Sequence, residues 1–352
     1  MGLIKLPERA VQHFHDHIGL IFESGQLAEG PWNSKISDFI VKLTRSNIAI
    51  PTNSNGAGVV ALLRIYQHYF KRDRVIIQSN TMYGVKTMIP SAGCRLTGYI
   101  DCQLDTLMPN LDAVKNAISG HSKQEKSRLI LLLTHIGGII NPDIQKIAQL
   151  CKNENIILIE DCAHSFAATL NKKHSGSFGN AGVYSFYATK AIPAGEGGVV
   201  VTNSEEIGEL VSNFGIYDRF RQKMEIGFNN RLSEVQALLI YSVLRDWQYI
   251  LDNKRRTAEY YLSACNDLGI SYIPQDQNGQ DGNYYKFTIY NYQVPISQYL
   301  PELSTTTSPV YDYIIGENNP LIGHHACLPI WFGQEFEITE KVVAELYRSF
   351  EK

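Results

Sequence analysis

Lys190 lies in the segment SFYATKAIPAGEGG (185–198), where an apolar run leads into a lysine and then into a glycine-rich turn. A lysine amine becomes nucleophilic when burial or neighbouring cations lower its pKa, and it can then form an imine with a carbonyl group. Lys190 is therefore a candidate for covalent attachment of a carbonyl compound. A plain loop lysine remains the alternative while this segment is considered alone.

Asp161 ends the apolar run IILIED (156–161). Side chains alternate along a strand, so Glu160 and Asp161 should lie on opposite faces, and one of them can enter a site at the carboxyl end of the strand. A carboxylate there can hold a pyridinium nitrogen in its protonated form. The alternative is that Asp161 caps a helix.

The segment TNSNGAGVVALL (52–63) places small residues, among them Gly56 and Ala57, before an apolar helical pattern. Backbone amides at such a helix start can bind phosphate, although a turn without a ligand is the alternative. The segment is neither a P-loop nor GxGxxG. A phosphate-binding helix start, a carboxylate and a lysine, each at a strand–helix junction, are together the groups that bind pyridoxal 5′-phosphate (PLP).

The surrounding elements follow an alternating pattern of apolar β-branched runs and helical stretches. Near-continuous apolarity suits strands that are covered on both faces, and the alternation favours a doubly wound α/β fold with a mainly parallel sheet. The predicted strands are 74–79, 95–101, 128–135, 156–161, 181–188 and 197–203, and the predicted helices between them are 56–70, 111–118 and 144–153.

The C-terminal third has a different pattern. A long amphipathic run covers 232–268, and a strand over 284–292 and a terminal helix over 339–350 follow it. A chain of 352 residues exceeds the usual size of one hydrophobic core. We therefore predict a large domain over 1–235, which includes the N-terminal segment, and a small domain over 236–352.

Composition narrows the class of protein. With 44% hydrophobic residues, 19% charged residues and a net charge of −3, the chain is typical of globular proteins and has no basic block for nucleic acid or anionic lipid. No signal peptide or membrane span is visible, so we expect a cytoplasmic protein. The six cysteines have no CxxC spacing, and His13 and His17 lack a full ligand set nearby, so we expect reduced thiols and no metal.

Several segments together resemble one known family. They are SGQLAEGPW (24–32), GSFGNAGVYSFYATK (176–190) with GEGGVVVTN (195–203), GFNNRLSEVQA (227–237) and HACLPI (325–330). They are similar to segments of the DegT/DnrJ/EryC1/StrS family, which are fold-type I PLP enzymes and chiefly nucleotide-sugar aminotransferases. The resemblance covers roughly residues 20–335 and implies a large α/β domain with a mainly parallel sheet flanked by helices, and a smaller C-terminal α/β domain.

The resemblance also implies catalytic roles. Lys190 corresponds to the family's Schiff-base lysine, which also shuttles a proton, and Asp161 corresponds to the partner of the pyridine nitrogen. His164 falls where the family has Gln or His near the 3′-oxygen of the cofactor. Ser185 falls where the family contacts the phosphate.

The remaining cofactor contacts are implied in the same way. The Gly56–Ala57 backbone would bind the phosphate, and Asn229 falls where the family reaches the phosphate of a neighbouring subunit's cofactor, which implies a homodimer with shared active sites. The family usually has Thr where this chain has Ala57, so one phosphate hydrogen bond must be lost or replaced. The family's stacking aromatic ring aligns with Met82, and we expect the adjacent Tyr83 to take that place.

The function implied by the resemblance is PLP-dependent transamination. The amino group would pass, with L-glutamate as donor, through the pyridoxamine form of the cofactor to a keto-sugar attached to a nucleotide, in the biosynthesis of amino sugars or surface polysaccharides. Two alternatives stay open. One is a PLP-dependent sugar dehydratase or lyase, although dehydratases that lack the lysine are disfavoured by Lys190. The other is a non-catalytic regulatory protein with the same fold.

Overall fold

The computed structural model describes residues 4–217, 223–293, 295–296, 321 and 323–350. The helices described are α1 (Glu8–Ser24), α2 (Pro31–Thr44), α3 (Asn55–Phe70), α4 (Tyr83–Ser91), α5 (Leu111–Ser119), α6 (Lys123–Lys126), α7 (Ile144–Asn153), α8 (Glu205–Ile216), α9 (Glu234–Leu244), α10 (Trp247–Leu268) and α11 (Phe336–Phe350). The strands described are β1 (Ile48–Thr52), β2 (Arg74–Gln78), β3 (Arg95–Ile100), β4 (Leu129–Thr134), β5 (Ile157–Cys162), β6 (Thr169–Leu170), β7 (Lys173–His174), β8 (Ala181–Ser185), β9 (Gly198–Thr202), β10 (Ser271–Tyr272), β11 (Gln280–Asp281), β12 (Phe287–Tyr290) and β13 (His325–Leu328).

A seven-stranded sheet of order β1-β9-β8-β5-β4-β2-β3 forms the centre of the molecule. The neighbours from β8 to β3 all pair in parallel, whereas β9 is antiparallel to both β1 and β8. This mainly parallel sheet confirms the predicted α/β class, and its carboxyl edge collects the ends of β4, β5 and β8.

Both faces of the sheet are covered, as the continuous apolar runs predicted. On β4, Ile130 and Leu132 pack into the core that α3, α4 and α8 cover, while Leu131 and Leu133 pack into the core that α5 and α7 cover. Helix α3 approaches closely at Gly58, where a Cβ atom would lie 2.8 Å from a Val183 methyl carbon. The start of α3 is thereby fixed beside the ends of β5 and β8.

Six predicted strands correspond to β2, β3, β4, β5, β8 and β9. Strand β1 was not predicted, because Pro51 interrupts the local pattern; proline is tolerated at the sheet edge that β1 occupies. The run over 232–268 is two helices rather than one, since α9 ends at Leu244 and α10 begins at Trp247. Helix α9 packs against α1 and α2.

The C-terminal part has its own small sheet of order β10-β12-β13. Its core includes Ala258 and Tyr261 from α10 and Leu346 from α11, whereas Leu251, earlier on α10, packs with the core of α1, α2 and α9. The division into domains 1–235 and 236–352 stays a prediction. In the ranges that the structure describes, none of the helices combines the length and apolarity needed to span a bilayer, and the expected location of the protein stays a prediction too.

Candidate active site

The two carboxylates at the end of β5 lie on opposite faces of the sheet, as strand alternation requires. Glu160 is fully buried and accepts hydrogen bonds from the backbone of Gly176, Phe178 and Gly179 at 2.9, 2.7 and 2.6 Å. It also lies 2.8 Å from His135 Nε2. Glu160 therefore holds the following loop in place, and Asp161 is the carboxylate that lines a cavity.

Three donors fix the Asp161 carboxylate. The Asn55 side-chain amide and the Ala163 backbone donate to Oδ1, each at 3.1 Å, and the Thr134 hydroxyl donates to Oδ2 at 3.2 Å. The Thr81 hydroxyl lies 2.7 Å from that of Thr134 and must donate to it, because the Thr134 proton is directed at Asp161. Asn55 and Thr134 therefore orient the acid, and the sequence did not reveal either residue in this role.

Lys190 follows β8 in a short turn, in which its backbone N–H donates to Tyr187 O at 2.9 Å. The side chain is half-buried, and its Nζ lies 5.0 Å from the centre of the Tyr285 ring. Burial lowers the pKa of Lys190 from 10.5 to about 8. The negative charge of Asp161 opposes this shift by raising the pKa, and the positive charge of Lys286 lowers it further. A larger fraction of the amine is therefore neutral and nucleophilic than in an exposed lysine.

A cavity of about 430 Å³ lies at the carboxyl edge of the sheet. Five predicted site residues line it: Gly56, Asp161, His164, Ser185 and Lys190. Its other lining residues are Ser54, Asn55, Met82, Met88, Thr134, Ala163, Tyr187, Thr189, Glu196 and Tyr285. The structure thus brings the candidate nucleophile, the candidate acid and the start of α3 to one cavity.

His164 is buried beside the cavity. Burial, together with Lys190 and Lys286, lowers the pKa of His164 well below its usual value, so the imidazole is neutral. Its Nδ1 accepts a long hydrogen bond from the Gly137 backbone at 3.4 Å, which leaves Nε2 to carry the proton. A neutral Nε2–H is suited to donate to an oxygen atom of a ligand.

Tyr285 is a cavity residue that sequence reasoning missed. Its ring lies 4.3 Å from that of His164, centre to centre. The segment that carries it is held by Asn283, whose amide donates to the carbonyl oxygens of His164 and Phe166 at 2.8 and 2.9 Å. Gly138 is required at the contact, because its φ is +116° and a Cβ atom would lie 2.5 Å from Asn283 Oδ1.

Three other predicted residues do not line this cavity. Ala57 borders a neighbouring cavity of about 200 Å³, and its N–H donates to Ser54 Oγ at 3.1 Å. Asn229 is exposed. Tyr83 is also exposed and contacts Lys86, whose Nζ lies 5.5 Å from the ring centre, while Met82 lines the cavity. The roles of Ala57, Asn229 and Tyr83 as cofactor contacts stay predictions.

The residues that line the cavity match the functional groups of PLP. A phosphorylated pyridine aldehyde needs an amine for its carbonyl carbon, an acid for its ring nitrogen and donors for its phosphate. Lys190 and Asp161 would supply the first two, and the start of α3 at Gly56 with the Ser185 hydroxyl would supply donors for the third.

A buried cluster of His135, Glu160 and Cys162 has side-chain atoms within 4.8 Å of one another. Hydrogen bonds within the protein explain it: His135 Nδ1 accepts from the Asn141 backbone at 3.1 Å, so its Nε2 donates to Glu160. Burial raises the pKa of the Cys162 thiol, which keeps it protonated. The cluster therefore stabilises the loop behind the active site.

Glu234, in the segment 227–237, contacts the segment 24–32. Its buried carboxylate accepts from the backbone N–H groups of Trp32 and Asn33 at 2.8 and 3.1 Å, at the start of α2. A Cβ atom at Gly30 would lie 2.7 Å from Glu234 Oε2. The glycine and proline that open α2 thus have a structural explanation, since this helix start is capped by a carboxylate from α9.

Comparison with known sequences identifies related proteins. A sequence model described as the DegT/DnrJ/EryC1/StrS aminotransferase family matches residues 10–300. The chain is 26% identical over 223 residues to a GDP-perosamine synthase of Escherichia coli O157:H7, covering 62% of this chain and 58% of that protein. It is 28% identical over 242 residues to a GDP-perosamine synthase of Vibrio cholerae, covering 68% of this chain and 64% of that protein. The matched region therefore spans less than two thirds of either relative.

A similar solved structure covers nearly the whole chain. A DegT DnrJ EryC1 StrS aminotransferase from Brucella abortus superposes with a TM-score of 0.86 at 17% sequence identity and covers 98% of this chain and 97% of that one. This similarity shows a common fold, in agreement with the seven-stranded sheet and its flanking helices.

Proposed function

The chain belongs to the DegT/DnrJ/EryC1/StrS aminotransferase family, and from this premise we propose that it transfers an amino group from L-glutamate to a keto-sugar. The cofactor of this family is PLP. The observation that carries the proposal is the single cavity that Lys190 and Asp161 both line.

The roles of the residues follow from their chemistry. When bound, PLP supplies an electron sink for the carbon that loses or gains a proton. Lys190, with a pKa of about 8, would hold the cofactor and then move a proton between the donor carbon and the cofactor. Asp161, held by Asn55 and Thr134, would keep the ring nitrogen protonated. The neutral His164 would donate a hydrogen bond beside the ring.

The acceptor is proposed to be a nucleotide-linked keto-sugar. Both curated relatives are named GDP-perosamine synthases, which supports a sugar acceptor joined to a nucleoside diphosphate. The product would be an amino sugar for the biosynthesis of surface polysaccharides.

The active site is proposed to be shared within a homodimer. Several apolar or aromatic side chains lie exposed near the cavity, among them Met82, Tyr187 and Phe228, with exposed fractions of 42, 45 and 66%. A second subunit would cover them and would bring its own Asn229 to the phosphate. Large exposed apolar groups in one region are typical of interfaces.

The visible spectrum of the holoenzyme tests the proposal. Purified protein supplied with PLP should be yellow and should lose that band when L-glutamate is added, because the amino group moves to the cofactor. A GDP-linked keto-sugar should then restore the band. Lys190→Ala should abolish both changes, whereas Lys172→Ala, at an exposed loop lysine, should preserve them.

Two results would contradict parts of the proposal. A protein that stays colourless after PLP is supplied would rule out an enzyme of this type. A yellow protein that loses no colour with any amino donor but releases water or another group from a sugar would favour the lyase.

A further inference from the structure

The connection between β8 and β9 supplies four of the residues that line the cavity. They are Tyr187, Thr189, Lys190 and Glu196. The two limbs of this connection are joined by backbone hydrogen bonds. The Phe186 N–H donates to the Gly197 carbonyl at 2.9 Å, and the Ala188 N–H donates to the Gly195 carbonyl at 2.8 Å. This backbone pairing fixes Glu196 relative to the other lining residues of the connection.

Glu196 stands between two glycines whose backbone angles suit no other residue type. Gly195 has a φ of +89° and Gly197 a φ of +147°. A Cβ atom at Gly197 would also lie 2.5 Å from Ile240 Cδ1 on α9, so α9 packs directly against this backbone. In the segment GEGG (195–198), Glu196 therefore supplies the only side chain.

The carboxylate of Glu196 differs from the two carboxylates at the end of β5. Glu160 accepts hydrogen bonds from three backbone N–H groups, and Asp161 accepts them from Asn55, Thr134 and Ala163. Among the described residues, Glu196 makes no side-chain hydrogen bond and no ion pair, and it is exposed. A ligand in the cavity can therefore use this carboxylate without displacing a contact between described residues.

The exposure of the charged lining residues shows which end of the cavity each of them occupies. Asp161 is only 3% exposed, Lys190 is half-buried and Glu196 is exposed. Asp161 is also the acid whose charge acts on the pKa of Lys190. Glu196 therefore lies at the mouth of the cavity, which is its exposed end. An acceptor that reacts beside Lys190 must extend the rest of its ring towards this mouth.

We propose that Glu196 binds hydroxyl groups of the acceptor sugar at the mouth of the cavity and thereby determines how tightly the acceptor binds. A carboxylate has two acceptor oxygens, so it can accept hydrogen bonds from two neighbouring hydroxyl groups. The same negative charge repels the carboxylates of glutamate, so this position favours the uncharged sugar ring over the amino donor. This inference rests on the proposed function and adds a determinant of the acceptor.

Calorimetric titration of the holoenzyme tests the proposal with ligands that do not react. GDP-mannose has sugar hydroxyl groups but no ketone, and GDP lacks the sugar. UDP-glucose with UDP and dTDP-glucose with dTDP extend the comparison to other nucleotides. In the pair that binds most tightly, Glu196→Ala should weaken binding of the nucleotide sugar by about tenfold and leave binding of the free nucleotide unchanged. Glu209→Ala, at an exposed glutamate of α8, is the matched control and should change neither.

The two half-reactions provide a second measurement that a purely structural role would not separate. In Glu196→Ala the loss of the yellow band with L-glutamate should keep its rate, because this step involves no sugar. The KM for the keto-sugar should rise about tenfold in the same variant. The midpoint of thermal unfolding and the mass in sedimentation should match those of the wild type, since the carboxylate makes no contact that holds the described residues together.

The remaining outcomes each overturn one hypothesis. The hydroxyl subsite is wrong if no nucleotide sugar binds more tightly than its free nucleotide, or if Glu196→Ala weakens both equally or neither. A slower reaction with glutamate and unchanged sugar binding would assign Glu196 to the donor instead, and a dissociated or less stable variant would assign it to the subunit interface. Sugar binding that depends on Glu196, in a wild-type enzyme that reacts with no amino donor, would refute the proposed function while retaining the subsite.

Discussion

The pKa of Lys190 gives a quantitative expectation for loading of the cofactor. Only the neutral amine attacks an aldehyde, so the initial rate of attachment of PLP to the apoprotein should follow the neutral fraction of this side chain. With a pKa of about 8, roughly one amine in ten is neutral at pH 7, against about one in three thousand at the usual pKa of 10.5. The environment of Lys190 therefore raises the reactive fraction roughly 300-fold.

Borohydride trapping measures this dependence. Apoprotein is mixed briefly with PLP across a pH series and reduced, and mass spectrometry then quantifies the modified peptide that contains Lys190, with Nα-acetyl-lysine as an internal standard. The rate should rise about tenfold per pH unit up to about pH 8 and then level off. Burial disfavours the charged form, so the midpoint lies below that of the free amine.

Two variants test the causes separately. Lys286→Met removes a neighbouring cation and should move the midpoint upward, whereas Asp161→Asn removes the anion that favours the ammonium form and should move it downward. Because burial is the largest cause, neither variant should bring the midpoint to that of the standard. A wild-type midpoint equal to that of Nα-acetyl-lysine would refute the reasoning.

Two further predictions concern the residues that support the site. Asn55→Ala removes hydrogen bonds to Asp161 and to the Val183 carbonyl. It should weaken PLP binding by about 1.5–3 kcal/mol, as measured by equilibrium dialysis. An equal loss of PLP binding in the exposed control variant Asn116→Ala would contradict this prediction. Glu234→Ala leaves the start of α2 uncapped and should lower the free energy of unfolding, measured by urea denaturation, by about 2–3 kcal/mol. An unchanged midpoint of urea unfolding would show that water replaces the carboxylate.

The sequence by itself determined the centre of the fold. Apolar β-branched runs specify strands, and a parallel sheet collects the carboxyl ends of those strands at one edge. For this reason the sequence alone predicts Asp161, Lys190 and Gly56 in one place. Each of them lies where a local pattern changes from strand to loop or from loop to helix, and such changes are visible in a short window of sequence.

Short-range pattern did not decide the direction of individual side chains. Met82 and Tyr83 are adjacent, and the structure places the first at the cavity and the second on the outer surface. The outcome depends on the start of α4, where Met82 has extended backbone angles and Tyr83 is the first helical residue. One residue of shift at a helix start changes which side chain faces inward.

Only the tertiary structure decided which residues complete the walls of the site. Tyr285 reaches it because the Lys286 N–H donates to the Gly137 carbonyl and the Asn283 N–H to that of Gly138, at 2.9 and 3.0 Å. Behind that ring, the amine of Lys254 on α10 lies 5.9 Å from the ring centre. Such contacts have no local periodicity, because they depend on the docking of one part of the chain onto another, and a lysine in an amphipathic helix has the same local pattern whether it faces solvent or a buried ring.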